Sequence, residues 1–279
     1  MIDISYGLSV ESDLTAAAFG DQPERWPLPT ATTPRELWLR AVAAGGQGRY
    51  GSARSDLATL LRGAPSGRLA SLAHSAQASF LRQLGWHSLA RGWDGRALAL
   101  AGGDPEAAGD ALTGLAADAL GVGRLAAAAA LLRRADAIVA QAPHRLAFRR
   151  AWVAAELAMA GGEGALAVHN AQVAVELAAT AVDDRGHQQV SVRHRAKSDV
   201  VLAAALCSAG AVDRARAVGE AALELTGRSG LVPLRWAVAC LLVDLAATDS
   251  PTRPIAVLRD IRDECAHRVR HWGGTWRQP

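Results

Sequence analysis

Aromatic residues make up 5% of this 279-residue chain, against 50% hydrophobic residues overall, so a core must be assembled from Ala, Leu and Val. That balance disfavours a sheet protein, because strands draw on β-branched and aromatic side chains whereas alanine and leucine are strong helix formers. Lysine is nearly absent: Lys197 is the only one, and arginine supplies the rest of the basic charge. Thirty basic residues against 27 acidic ones leave a net charge of +3, too small by itself to imply a polyanionic partner. There are only three cysteines, Cys207, Cys240 and Cys265. They are too few and too widely spaced for a disulfide framework and read as reduced thiols of a cytoplasmic protein. No apolar run approaches the roughly 20 residues of a membrane span, since Arg, Asp or Glu interrupts each alanine-rich stretch. Asp3, Glu11 and Asp13 stand where a signal peptide would carry a basic start and an apolar stretch, so export by that route is not expected.

Catalytic signatures are missing as well. The stretch AGGQGRYGSAR has glycines but no Lys-Ser or Lys-Thr pair, and there is no HExxH, nucleophile elbow or Cys-x-x-Cys. No enzymatic activity and no cofactor are expected. Cys265, His267 and His271 come nearest to a metal cluster, with the two histidines four apart on one helix face. Nothing nearby offers a distinctive fourth ligand, and no metal site is expected.

What the chain does have is periodicity. Five glycines, Gly48, Gly85, Gly123, Gly162 and Gly210, are each preceded by an alanine seven residues earlier: Ala41, Ala78, Ala116, Ala155 and Ala203. Another alanine follows five residues later: Ala53, Ala90, Ala128, Ala167 and Ala215. Twelve residues after each glycine stand Leu60, Ala97, Ala135, Ala174 and Ala222. Small residues on both sides of a glycine turn let two antiparallel helices approach closely, so each unit reads as a helical hairpin.

These offsets resemble those of the tetratricopeptide repeat superfamily. Gly48, Tyr50, Ala53, Leu57, Leu60 and Pro65 match its motif best, followed by Gly123, Leu125, Ala128, Leu132 and Ala135. The resemblance covers residues 34 to 230, with glycine-to-glycine spacings of 37, 38, 39 and 48 residues, all longer than the family's usual ~34. It implies an all-α fold, a right-handed superhelical solenoid of about six antiparallel helix pairs.

Along the chain, residues 1–32 carry Pro23, Pro27 and Pro29 around Trp26 and show no sustained helical period, so an extended N-terminal arm is expected. Thr33, Pro34 and Glu36 form a capping-box signature that opens the array. Five hairpins are expected over 33–230, with an irregularity at DDRGHQQ before the fifth glycine. Residues 231–272 lack the small-residue pattern and read as a divergent C-terminal capping pair with one face to water. A tail follows at 273–279, loose or docked through Trp272 and Trp276.

In the resembled family the first helix of each pair lines a concave groove. Carried onto this chain, that places Trp38, Ser75, Ser79, Arg149, Trp152, Glu156 and Lys197 toward the groove, with Arg193 one turn before Lys197. Basic groups beside an aromatic can grip the carboxylates and one apolar side chain of an extended peptide. The family's two-carboxylate clamp needs a particular Lys, Asn and Arg set that this sequence lacks. The expected function is a non-enzymatic protein or peptide interaction module, an adaptor or regulator. The alternative is a regulatory module contacting nucleic acid or the transcription machinery through Arg193, His194, Arg195 and Lys197, or through His267, Arg268, Arg270, His271 and Trp272. Asp199, one turn from Arg195, and the small net charge weigh against that alternative.

Overall fold

The structure, a computed structural model, describes residues 4–139, 141–180, 191–246 and 253–277. Those residues are all-helical apart from their connections, with thirteen helices in chain order. They are α1 (Ile4–Phe19), α2 (Pro34–Gly46), α3 (Tyr50–Gly63), α4 (Gly67–Gln83), α5 (His87–Leu100), α6 (Pro105–Gly121) and α7 (Leu125–Val139). The chain continues through α8 (Arg145–Ala160), α9 (Gly164–Thr180), α10 (Val192–Ser208), α11 (Val212–Arg228), α12 (Val232–Ala246) and α13 (Ile255–His271). From α2 onward the helices pack in adjacent pairs, and the first member of each pair also touches the first member of the next. The even-numbered helices α2 to α12 therefore form one layer, and the odd-numbered helices α3 to α13 cover it.

Local chemistry explains where the helices start and stop. At α2 the Thr33 hydroxyl accepts from the Glu36 amide at 3.2 Å, while the Glu36 carboxylate accepts from the amides of Thr32 at 2.7 Å and Thr33 at 3.0 Å. Orphan amide donors at the helix start are thereby satisfied. All five repeat glycines adopt positive φ, between 75° and 87°. After each one the next amide donates to the carbonyl five residues upstream of it at 2.8–2.9 Å, as in Arg49 to Ala44 and Glu163 to Ala158. A left-handed residue closing a helix in this way favours glycine, which has no Cβ to clash.

The ten alanines that flank those glycines are all fully excluded from solvent, at 0% exposure. Methyl-sized side chains at these contacts leave the paired backbones close together. Gly45 shows how tight the layer is: a Cβ there would lie 2.1 Å from the Phe80 ring.

The N-terminal segment departs from the extended arm expected of it. Ile4–Phe19 is a helix that packs on α2 and touches α10, burying Leu14, Ala17 and Ala18. Only the stretch after it, through Pro23, Pro27 and Pro29, is non-helical. The repeat offsets search for a hairpin, and a lone helix without a partner of its own carries no such signature.

The C-terminal pair has a neighbour that the repeat offsets do not announce. α12 and α13 contribute Val232, Cys265 and Val269 to the core built by α1 to α4, while α13 keeps an exposed side that includes Arg259, Asp260, Asp263 and Glu264. The segment after α13 docks too. Gly51 donates its amide to the Trp272 carbonyl at 2.8 Å, Trp86 Nε1 donates to the Thr275 carbonyl at 2.7 Å, and Arg277 donates to the Leu84 carbonyl at 2.9 Å. The Arg49 guanidinium lies between the rings of Trp26 at 3.9 Å and Trp272 at 4.1 Å. The two ends of the array thus meet in a seam. The irregular stretch expected at 183–189 lies outside the described residues.

Candidate functional site

Bringing α10 against α1 and α2 encloses the space faced by the inner helices. Val192 donates to the Gly20 carbonyl at 3.1 Å, and the His194 ring stacks on Phe19 at 5.8 Å. The result is a cavity of about 290 Å³, at the small end of the roughly 300–1,000 Å³ of small-ligand sites.

Six of the eight residues expected in a groove line it: Ser79, Arg149, Trp152, Glu156, Arg193 and Lys197. The other two do not. Trp38 is 5% exposed and packs on Phe19 at 5.4 Å, and Ser75 is 2% exposed. Both stand ten residues before their glycines, as do the lining residues Thr113 and Trp152. At Trp38 the extra helix α1 covers that position, which no repeat offset could foretell. The sequence reading also missed Arg82, Gln83 and Gly46, which sit two or three residues before a repeat glycine and line the cavity from the ends of α2 and α4. Their signal was a second recurrent offset, since Leu120 and Gly121 occupy the same places in the third unit and line it as well.

The run Arg193, His194, Arg195, Lys197 does not present one basic face. Arg193 and Lys197 turn into the cavity and His194 is buried, leaving Arg195 exposed. The second basic run sits on α13 with His267, Arg268, Arg270 and His271 all exposed, and Arg268 pairs with Glu264 at 2.6 Å. Cys265 is buried in the core, on a different face of α13 from His267 and His271.

Charges around the cavity are almost all matched. Arg82 pairs with Asp94 and with Asp118 at 3.0 Å. Arg149 pairs with Asp110 at 2.9 Å, and Arg145 bridges Glu106 at 2.7 Å and Asp110 at 3.4 Å. Lys197 Nζ meets Glu156 at 3.1 Å. Burial works against ionised Asp110, but the guanidinium groups of Arg149 and Arg145 outweigh it and hold its carboxyl below the ordinary range.

Arg193 is the exception. Its one hydrogen bond runs from Nη1 to the Val42 carbonyl at 3.2 Å, with no carboxylate at salt-bridge distance among the described residues. Burial and then the like charges of Arg149 and Arg145 lower its pKa to about 10, where it remains cationic at neutral pH. Burial, reinforced by Arg193, Arg145 and Arg149, drives the His194 imidazole well below its ordinary range. His194 is therefore neutral, and acts as an aromatic wall against Phe148 at 4.5 Å and Trp152 at 5.8 Å.

Trp152 is 9% exposed and donates its indole N–H to the Ser198 hydroxyl at 2.9 Å. That hydroxyl in turn donates to the Ala174 carbonyl at 3.2 Å, tying α8, α9 and α10 together. The site thus joins guanidinium donors to an apolar wall.

No protein-family model matches the chain, and no curated protein matches it. Among the described residues, no helix is long and apolar enough to cross a membrane.

Proposed function

We propose that this chain is a non-catalytic interaction module, an adaptor or regulator, whose cavity receives part of an extended segment of a protein partner. We read its helix pairs as a tetratricopeptide-like right-handed superhelical solenoid, and its setting as the cytoplasm, where Cys207, Cys240 and Cys265 remain free thiols. The observation that supports the function is the convergence of Arg149, Trp152, Glu156, Arg193 and Lys197, from α8 and α10, on one enclosed space. A space of about 290 Å³ limits what enters to a residue or two, so the partner inserts a chain end or a side chain while the rest of its segment stays outside.

The test uses the full chain as bait in native lysate, with and without nuclease. A protein retained after nuclease by the parent chain and lost from Lys197→Ala is the expected result. Retention that disappears with nuclease, and responds equally to Arg195→Ala and Arg193→Ala, would replace this reading with the nucleic-acid one. Trp152 is unsuited as a binding probe, because its ring and indole N–H hold α8 to α10. Trp152→Ala is expected to cost about 3–5 kcal/mol of stability in a denaturant melt.

A further inference from the structure

We infer that the cavity is a seat for a single carboxylate, received by Arg193, with the group that carries the carboxylate lying against Trp152 and His194. This deepens the function proposed above and rests on it. The ligand class follows from charge and geometry. Arg82, Arg149 and Lys197 each face the cavity with an acidic partner in hand, and among the described residues Arg193 has none. A partly buried cation that faces a cavity without a counter-ion is a ready seat for an anion that arrives from outside.

The fold holds Arg193 in place without neutralising it. Its Nη1 contact, the Val42 carbonyl, lies in the last turn and a half of α2, where the helix dipole supplies partial negative charge but no full anion. Gly46 clears the space for the side chain: a Cβ there would lie 3.2 Å from Arg193 Cδ and 3.4 Å from both Nε and Nη1. Nε and Nη2 of Arg193 have no acceptor among the described residues, and together they form the fork edge that matches a planar carboxylate bidentately. Arg149 Nε is also buried without an acceptor among the described residues.

One carboxylate balances the site. A dianion such as a phosphate monoester would bring a second charge with no cation left to pair it, beside Glu156 on the same lining. The carrying group is apolar and small, because Val153, Leu120 and Leu234 complete the wall of a cavity of about 290 Å³. A polypeptide C-terminus with an apolar last residue and a free small carboxylic acid share this chemistry.

Two probe pairs separate the sources. One is N-acetyl-L-leucine against N-acetyl-L-leucinamide by calorimetry. The other is a mixed octapeptide pool with free C-termini against the same pool amidated, read as depletion by the immobilised full chain. In at least one pair the free acid is expected to bind roughly 10-fold to 100-fold more tightly than the amide, the range of a charge-assisted hydrogen bond. Arg193→Gln should remove that preference, Arg193→Lys should restore part of it, and Arg195→Gln should leave it intact. A preference seen only with N-acetyl-L-leucine keeps the seat but overturns the protein-partner reading. Equal binding of acid and amide overturns the seat while the interaction module stands. No binding of any probe at about 10 mM overturns the seat as well. Thermal melts decide the fate of the variant: with an unpaired, partly buried charge removed, Arg193→Gln should melt at or above the parent. A clear fall in its midpoint would make Arg193 a strut to Val42 and sink the proposal.

Discussion

The run from α6 to α9 and the seam that joins the two ends of the chain are built by opposite means. In the run, α7 buries Ala128, Leu132 and Ala135, and α9 buries Ala167, Ala171, Ala174 and Ala178. In the seam, Trp236 packs on Trp276 at 4.3 Å, Arg49 sits between Trp26 and Trp272, and Trp86 donates to the Thr275 carbonyl. Alanine contacts bury little area each and stabilise through number and close backbone approach, whereas each tryptophan buries a large area once. The two regions should therefore fail differently. Enlargement damages the alanine contacts of α7 and α9, and truncation damages the seam, as it does the Trp152 contact of α8.

The largest effect is expected from removing one side of the seam. Deleting 231–279 takes Val232, Cys265 and Val269 out of the core shared with α1 to α4, and also uncovers α11. The fragment should lose helicity or aggregate, as read by circular dichroism and size exclusion. Deleting 1–25 should also destabilise, because it removes Leu14, Ala17 and Ala18 along with α1's contact to α10. A soluble, fully helical 1–230 fragment would show that the run needs no seam.

Next in size come the alanines. Ala90→Leu and Ala128→Leu force a larger side chain into fully buried positions and should each cost about 1–3 kcal/mol in urea melts. A midpoint equal to the parent for Ala128→Leu would remove the contrast between run and seam from its stronger side.

The same contrast explains what the sequence disclosed. The five glycine turns and ten packing alanines recur at fixed offsets, and each glycine stands between the two helices of one pair from α2 to α11. The helix α1 and the seam were hidden because they occur once. Nothing in the spacing of Trp26, Arg49 and Trp272 announces that they meet across more than 200 residues of chain. Six of the eight groove residues were legible because cavity lining follows the repeat offsets. That Arg193 lacks a counter-ion was not, since it depends on where α2 ends relative to α10.

A smaller change is expected at Arg49. Its two ring contacts should make Arg49→Ala cost about 1–2 kcal/mol, at 0.5–1 kcal/mol or so for each partly exposed cation–π pair. Trp26→Ala should forfeit about half of that, since Arg49 keeps the Trp272 ring. If both variants melt with the parent, the aromatic sandwich is incidental, and the seam rests on its apolar contacts and hydrogen bonds alone.

The smallest effect concerns a charge buried on α5, four residues after the packing alanine Ala90. Asp94 is 0% exposed, and its carboxylate faces Arg82, Asp118 and the Gly114 backbone, where a Cβ would lie 2.2 Å from Oδ2. Burial pushes the Asp94 carboxyl up from its ordinary range, Arg82 pulls it down, and the negative Asp118 pushes it up again, leaving it raised. Between the unfolded value, about 4, and the raised native one, the native state binds more protons than the unfolded state. The contribution of Asp94 is therefore fully present below about pH 4 and is lost as pH rises through the native value. His194 acts in the opposite sense: its lowered pKa means that stability is lost as pH falls below its unfolded value of about 6.5. Asp94→Asn leaves His194 untouched, so the difference between the parent and Asp94→Asn isolates the carboxyl. With melts taken from about pH 4.5 to pH 7.5, the stability of Asp94→Asn relative to the parent should rise with pH, by less than about 1.4 kcal/mol per pH unit. Parallel curves would mean that Asp94 titrates alike in the folded and unfolded chains, and that Arg82 fully compensates its burial.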